Sequence, residues 1–156
     1  GGLGLNDIYT ARLTEDGYEK PVNLGRPVNS AAGEESPFIA PDGSYLLFSR
    51  QYDLWVSFRG ADGAWSEPVN LGPGVNSPSI ELCPVVTADG KYLFFLSQRD
   101  GESHAYWVSA KILDVLKAKA IEFPERRNLT AHPAWDGWDC YLPGSRPRAG
   151  ISTSTR

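Results

Sequence analysis

The sequence predicts an all-β fold made of repeated four-stranded antiparallel sheets. Three observations carry that prediction. First, Glu34-Glu35-Ser36-Pro37-Phe38-Ile39-Ala40-Pro41-Asp42-Gly43-Ser44-Tyr45-Leu46-Leu47-Phe48-Ser49-Arg50 reads as strand, Asp-Gly turn and strand. It returns 47 residues later as Glu81–Ser97, with Asp42 matched by Asp89 and Pro37 by Pro84. Second, Glu19-Lys20-Pro21-Val22-Asn23-Leu24-Gly25 returns as Ser66-Glu67-Pro68-Val69-Asn70-Leu71-Gly72, again 47 residues on. Third, six Asp-Gly pairs start at residues 16, 42, 62, 89, 100 and 136, and the first five fall between apolar runs. Asp-Gly suits hairpin turns, because Gly has no Cβ to clash at positive φ and Asp tolerates the left-handed region.

Taken in order, Gly1 to Asn6 is a flexible, glycine-rich lead-in. Its glycines follow no strand and open no amphipathic helix, so they do not make a phosphate-binding loop. Asp7 to Leu13 and Tyr18 to Leu24 are expected strands around Asp16-Gly17. Pro21 marks the second as an edge strand, since proline cannot donate to a ladder. A polar loop from Gly25 to Glu35 leads to strands at Ser36–Ala40, Ser44–Arg50, Asp53–Phe58 and Ala64–Leu71. A second loop, Gly72 to Ile80, leads to Leu82–Thr87, Lys91–Gln98 and Ala105–Ser109. Asp7-Ile8-Tyr9-Thr10, Asp53-Leu54-Trp55-Val56 and Ala105-Tyr106-Trp107-Val108 read as three copies of one strand. Tyr9, Trp55 and Trp107 then share a repeat position, where packing between sheets is expected because aromatics bury large areas.

Four short strands in about 40–50 residues is the unit of a β-propeller blade. The count is about two to two and a half blades: an outer half, a whole blade and three strands of another. After Ser109, apolar residues at 112, 113, 115 and 116 fit a short amphipathic helix with Ser109 as its N-cap. Residues 1–119 are therefore expected to form a partial propeller, and 120–156 an irregular tail docking through Trp135, Trp138 and Tyr141.

Composition excludes several classes. The net charge of -4 and the absence of a clustered basic face argue against nucleic acid. No apolar run is long enough to span a membrane. No Cys-x-x-Cys or His-x-x-x-His spacing suggests a metal, and no cofactor motif is present. Cys83 reads as a small buried hydrophobe, with a disulfide to Cys140 as the alternative. His104 and His132 are the only histidines, and neither has the nucleophile and oxyanion context of a hydrolase. No catalytic residue is assigned.

The Phe38-Ile39-Ala40-Pro41-Asp42-Gly43-Ser44-Tyr45-Leu46-Leu47-Phe48-Ser49 stretch and its copy Thr87-Ala88-Asp89-Gly90-Lys91-Tyr92-Leu93-Phe94-Phe95 resemble the Pro-Asp-Gly repeat of TolB-type, WD-like β-propellers. The resemblance covers about residues 5 to 118. It implies a periplasmic or extracellular bacterial protein that binds proteins or saccharides. Members of that family have more blades than this chain supplies. The expectation is a non-catalytic interaction module, completed by self-association (a homo-oligomer) or by another protein. Gly1 reads as a cut end, so a piece of a longer propeller enzyme or a carbohydrate-binding module is the alternative.

The candidate ligand residues are Glu34, Glu81, Arg50, Arg99 and Trp65. The two glutamates stand just before the innermost strands, where a central channel would open, as carboxylates for a polar ligand or as solvated loop acids. The arginines end the second strands, as planar donors for an acid group or as partners in structural ion pairs. Trp65 is expected at an exposed outer edge. Asn29-Ser30 and Asn76-Ser77 are expected to close loops by side-chain to backbone hydrogen bonds.

Overall fold

The computed structural model describes residues 2–122. They form antiparallel sheets and one short helix. β1 (Tyr9–Thr10) pairs with β4 (Val22–Asn23), and β2 (Leu13–Thr14) with β3 (Gly17–Tyr18). β5 (Glu34–Ile39), β6 (Tyr45–Arg50), β7 (Asp53–Phe58) and β8 (Val69–Asn70) follow as a four-stranded meander. β9 (Glu81–Val86), β10 (Tyr92–Ser97) and β11 (His104–Ser109) form a three-stranded sheet, and α1 (Ile112–Glu122) follows it.

The all-β expectation holds, and each described Asp-Gly pair makes its turn with the glycine at positive φ. Gly43 shows the geometry: its N–H reaches the carbonyl of Ala40 at 2.8 Å while Asp42 Oδ1 accepts from Ser44 N at 3.0 Å. The outer strands are shorter than expected. Ala64 to Leu71 keeps only β8 and one bridge, Arg59 with Trp65. Asp7 to Leu13 and Tyr18 to Leu24 likewise break into two-residue pieces. Pro21 and Pro68 stand just before β4 and β8, where their missing N–H denies the ladder its next rung.

Four further expectations are corrected. The lead-in is docked: Asp7 accepts from Leu3 N at 2.6 Å and Gly4 N at 3.2 Å, and a Cβ on Gly4 would lie 2.0 Å from Ala32 O. Ser109 ends β11 and does not cap the helix, which starts three residues later. The helix also runs through Ala120 to Glu122, past the expected boundary at 119/120. The remainder of the expected tail, its aromatics, Asp136-Gly137 and any Cys83–Cys140 bond lie outside the described residues. Cys83 itself is exposed, because it sits at a bulge in β9 with φ +54°.

Two cores divide the molecule. One face of the first sheet carries Leu46, Phe48 and Trp55, which pack against Ile8, Leu24 and Val28 of the N-terminal segment. Its other face carries Leu47, Leu54, Val56 and Phe58. These pack against Val86, Leu93 and Phe95 of the second sheet and Leu113 and Leu116 of α1. Alternation along β6 and β7 places these sets on opposite faces, so the first sheet is covered on both sides.

Candidate interaction surfaces

The repeated polar residues build a brace at each junction between sheets. Asn29 Oδ1 accepts from Ile8 N and its Nδ2 donates to Ile8 O, each at 2.9 Å. Asn76 does the same for Leu54, at 2.8 and 3.0 Å. Asn23 Oδ1 and Asn70 Oδ1 each accept from these amides and from the N–H of the following glycine. Asn29 and Asn76 make the side-chain to backbone bonds expected, but to distant residues rather than within their own loops; the local bonds are those of Ser30 and Ser77, whose Oγ atoms accept from Ala32 N and Ser79 N at 3.1 Å.

Glu34 and Glu81 are neither channel-lining nor solvated. They are the first residues of β5 and β9, and both are buried. Glu34 accepts from Ser30 N at 3.0 Å, Ser30 Oγ at 2.6 Å and Arg50 Nε at 2.7 Å. Glu81 accepts from Ser77 N at 3.0 Å, Ser77 Oγ at 2.6 Å and Ser97 Oγ at 2.6 Å. A buried carboxylate needs such partners to stay charged. Burial pushes the pKa of Glu81 up; the Ser77 and Ser97 bonds and the Arg99 charge more than offset this and hold it below the usual value.

Arg50 and Arg99 are the matching cations, and each pairs with a glutamate of its own sheet. Arg50 Nη2 also donates to Val28 O at 2.7 Å, and Arg99 Nη2 to Val75 O at 2.5 Å. Yet the two are 49 residues apart, not 47. Ser97 stands opposite Glu81 where Arg50 stands opposite Glu34. Arg99 reaches back from two residues further on, with Nε on Ser97 Oγ at 2.9 Å and Nη2 3.6 Å from Glu81. Four of the five expected ligand residues are thus consumed by the braces.

Trp65 is half-buried, not free at an edge. It packs on the N-terminal core and lies under Arg59, whose guanidinium carbon is 5.6 Å from the ring. It lines a groove of about 300 Å³ with Ile8, Tyr9, Pro37, Ile39 and Leu46. A second hollow, about 480 Å³, is bordered by Glu35, Ser49, Gln51 and Tyr52. It has one carboxylate on its wall, held by Asn6 at 2.5 Å, so no acid–base pair faces it. Among the described residues no metal-binding cluster occurs, and no helix is long and apolar enough to cross a membrane.

The aromatic repeat is corrected by one residue. Trp55 stands opposite Phe48, and Tyr106 stands opposite Phe95. Arg50 lies 5.3 Å from the Trp55 ring as Arg99 lies 4.6 Å from the Tyr106 ring. Tyr106, not Trp107, is therefore the match of Trp55, and Trp107 matches Val56. A shift of one residue moves a side chain to the opposite face.

That face is the least expected feature of the molecule. On the first sheet Leu47 and Val56 are 0% exposed; their matches on the second sheet, Phe94 and Trp107, are 37% and 59% exposed. Val85, Tyr92 and Leu96 are exposed beside them. Leu82, Ala105 and Ser109 complete the face by register, so it carries no charged side chain. Tyr92 and Trp107 meet edge to face at 5.1 Å. Among the described residues nothing covers it. The sequence signal was present but ambiguous, because an unbroken apolar strand such as Tyr92-Leu93-Phe94-Phe95-Leu96 reads as buried on both faces.

Comparison of the chain with protein-family models, with curated proteins and with solved structures finds no match.

Proposed function

We propose that this chain is a non-catalytic interaction module built of TolB-type propeller blades, and that it associates with further copies of itself. One observation carries the reading: the sheet face that is buried on the first repeat is open on the second. Its three aromatics leave roughly 270 Å² in water, taking ~200 Å² for each side chain. Val85 and Leu96 bring the face to about 400 Å², close to the apolar content of one side of a standard protein interface. Apolar patches of that size are often functional.

Light scattering across a dilution series tests it. The expected result is a multimer that Phe94→Asp and Trp107→Asp convert to a folded monomer. A wild-type chain that stays monomeric at ~100 µM overturns the reading, since interfaces of standard size associate with affinities from micromolar to picomolar. The saccharide-binding alternative rests on the same exposed Trp107 and Tyr92, whose faces would stack on sugar rings. It loses the support of Glu34, Glu81, Arg50 and Arg99, which are internally paired. Glycan binding abolished by Trp107→Ala, in a chain that remains monomeric, would favour it.

A further inference from the structure

The N-terminal end of the molecule is unfinished in a different way. β1 pairs with β4 on one edge and, among the described residues, with no strand on the other. Its match in the first sheet, β7, has β8 on the corresponding edge and β6 on the inner one. The groove is lined by Tyr9 and Thr10 of β1, by Pro37, Ile39 and Leu46 of the first sheet, and by Arg59. Ile39 is 55% exposed there.

The second junction shows what such a place accepts. Val86 and Leu93 match Ile39 and Leu46 at the 47-residue offset. Both are buried, in one core with Phe38 and Leu47 of the β5–β6 hairpin. That hairpin is also what occupies the inner edge of β7. Among the described residues no strand pairs the inner edge of β1, and beside it Ile39 stays exposed while Leu46 is buried in the N-terminal core.

We propose that the groove and the inner edge of β1 form a strand-acceptor site for a β-hairpin of another polypeptide. The hairpin would have apolar residues at every second position. One of its strands continues the ladder through β1, the mode of recognition in which main-chain bonds give affinity and alternate side-chain pockets give selectivity. Its apolar side chains then cover Ile39, as Phe38 and Leu47 help to cover Val86 and Leu93; Leu46 is already buried in the N-terminal core. The inference shares with the proposed function the reading of the molecule as an interaction module, but it uses the opposite end.

The probe is a labelled 17-residue peptide with the sequence of residues 34–50, titrated into the full chain and followed by fluorescence anisotropy. The expected result is saturable 1:1 binding, weakened at least tenfold by Ile39→Asp and unchanged by Phe94→Asp. A peptide N-methylated on one strand's outward N–H groups should also lose binding, which a merely greasy contact would not show. No saturation up to about 1 mM, with the protein folded by circular dichroism, overturns the proposal. So does equal binding to Ile39→Asp. If Ile39→Asp instead dissolves self-association and leaves peptide binding alone, the groove belongs to a second copy and the proposal also falls. The two readings fail separately: a monomer that binds the peptide overturns only self-association, and a multimer that ignores it overturns only the acceptor site.

Discussion

The first and second sheets are two copies of one sequence pattern in two environments. Leu47 and Phe94 occupy one repeat position, yet one is sealed and the other stands in water. The glutamates are both buried, yet Arg50 binds Glu34 directly while Arg99 acts largely through Ser97. Repeat position therefore fixes the backbone and the brace, whereas the neighbouring layer decides what a side chain contributes.

The largest expected difference is in the core. Leu47→Ala should cost about 2–5 kcal/mol, the range for a buried leucine whose cavity does not collapse. Phe94→Ala should cost under about 1 kcal/mol in the monomer, because water already reaches that ring. Urea unfolding of both variants measures this, and equal costs would break the comparison. The next difference lies in the braces. Arg50→Ala removes the direct partner of a buried carboxylate and should cost about 3 kcal/mol. Arg99→Ala should cost nearer 1 kcal/mol, since Ser77 and Ser97 still satisfy Glu81. The reverse order would mean that Arg99, despite its 3.6 Å separation, is the stronger partner.

The smallest effect is on acid stability. The folded-state pKa of Glu81 lies below its unfolded value. Its contribution is thus fully present above about pH 4.3, the ordinary glutamate value, and is lost as pH falls through the lower folded pKa. Glu81→Gln should flatten that part of the stability curve. A variant as acid-sensitive as the parent would place the titration elsewhere.

Much of the fold was legible in the sequence. Asp53 to Phe58 is the strand expected, and β6, β9, β10 and β11 lie within one or two residues of expectation. The Asp-Gly turns and the 47-residue offset sufficed, because turn chemistry and alternation are local. The braces were legible as repeated residues but not as a structure. Glu34 and Glu81 look like loop acids until the serines four residues before them fold back. The Arg99 match was hidden by its two-residue displacement, and Trp107 was misassigned because aromatic identity outweighed register. The Gln51-Tyr52 turn gave no sign at all. Both residues have positive φ, 50° and 70°, in a hairpin where Gly or Asn would be usual.

That turn joins one sheet to the next. Tyr52 O accepts from Glu81 N at 2.7 Å, as Asn6 O accepts from Glu34 N at 2.9 Å. Both halves of the joint are main-chain atoms, so the joint does not depend on which side chains surround it. A duplicated 47-residue segment carries the donor at its start and the acceptor in its own second turn. Gene duplication can lengthen such a chain unit by unit without inventing a new connection, and substitutions can then diversify each face while the spine stays the same.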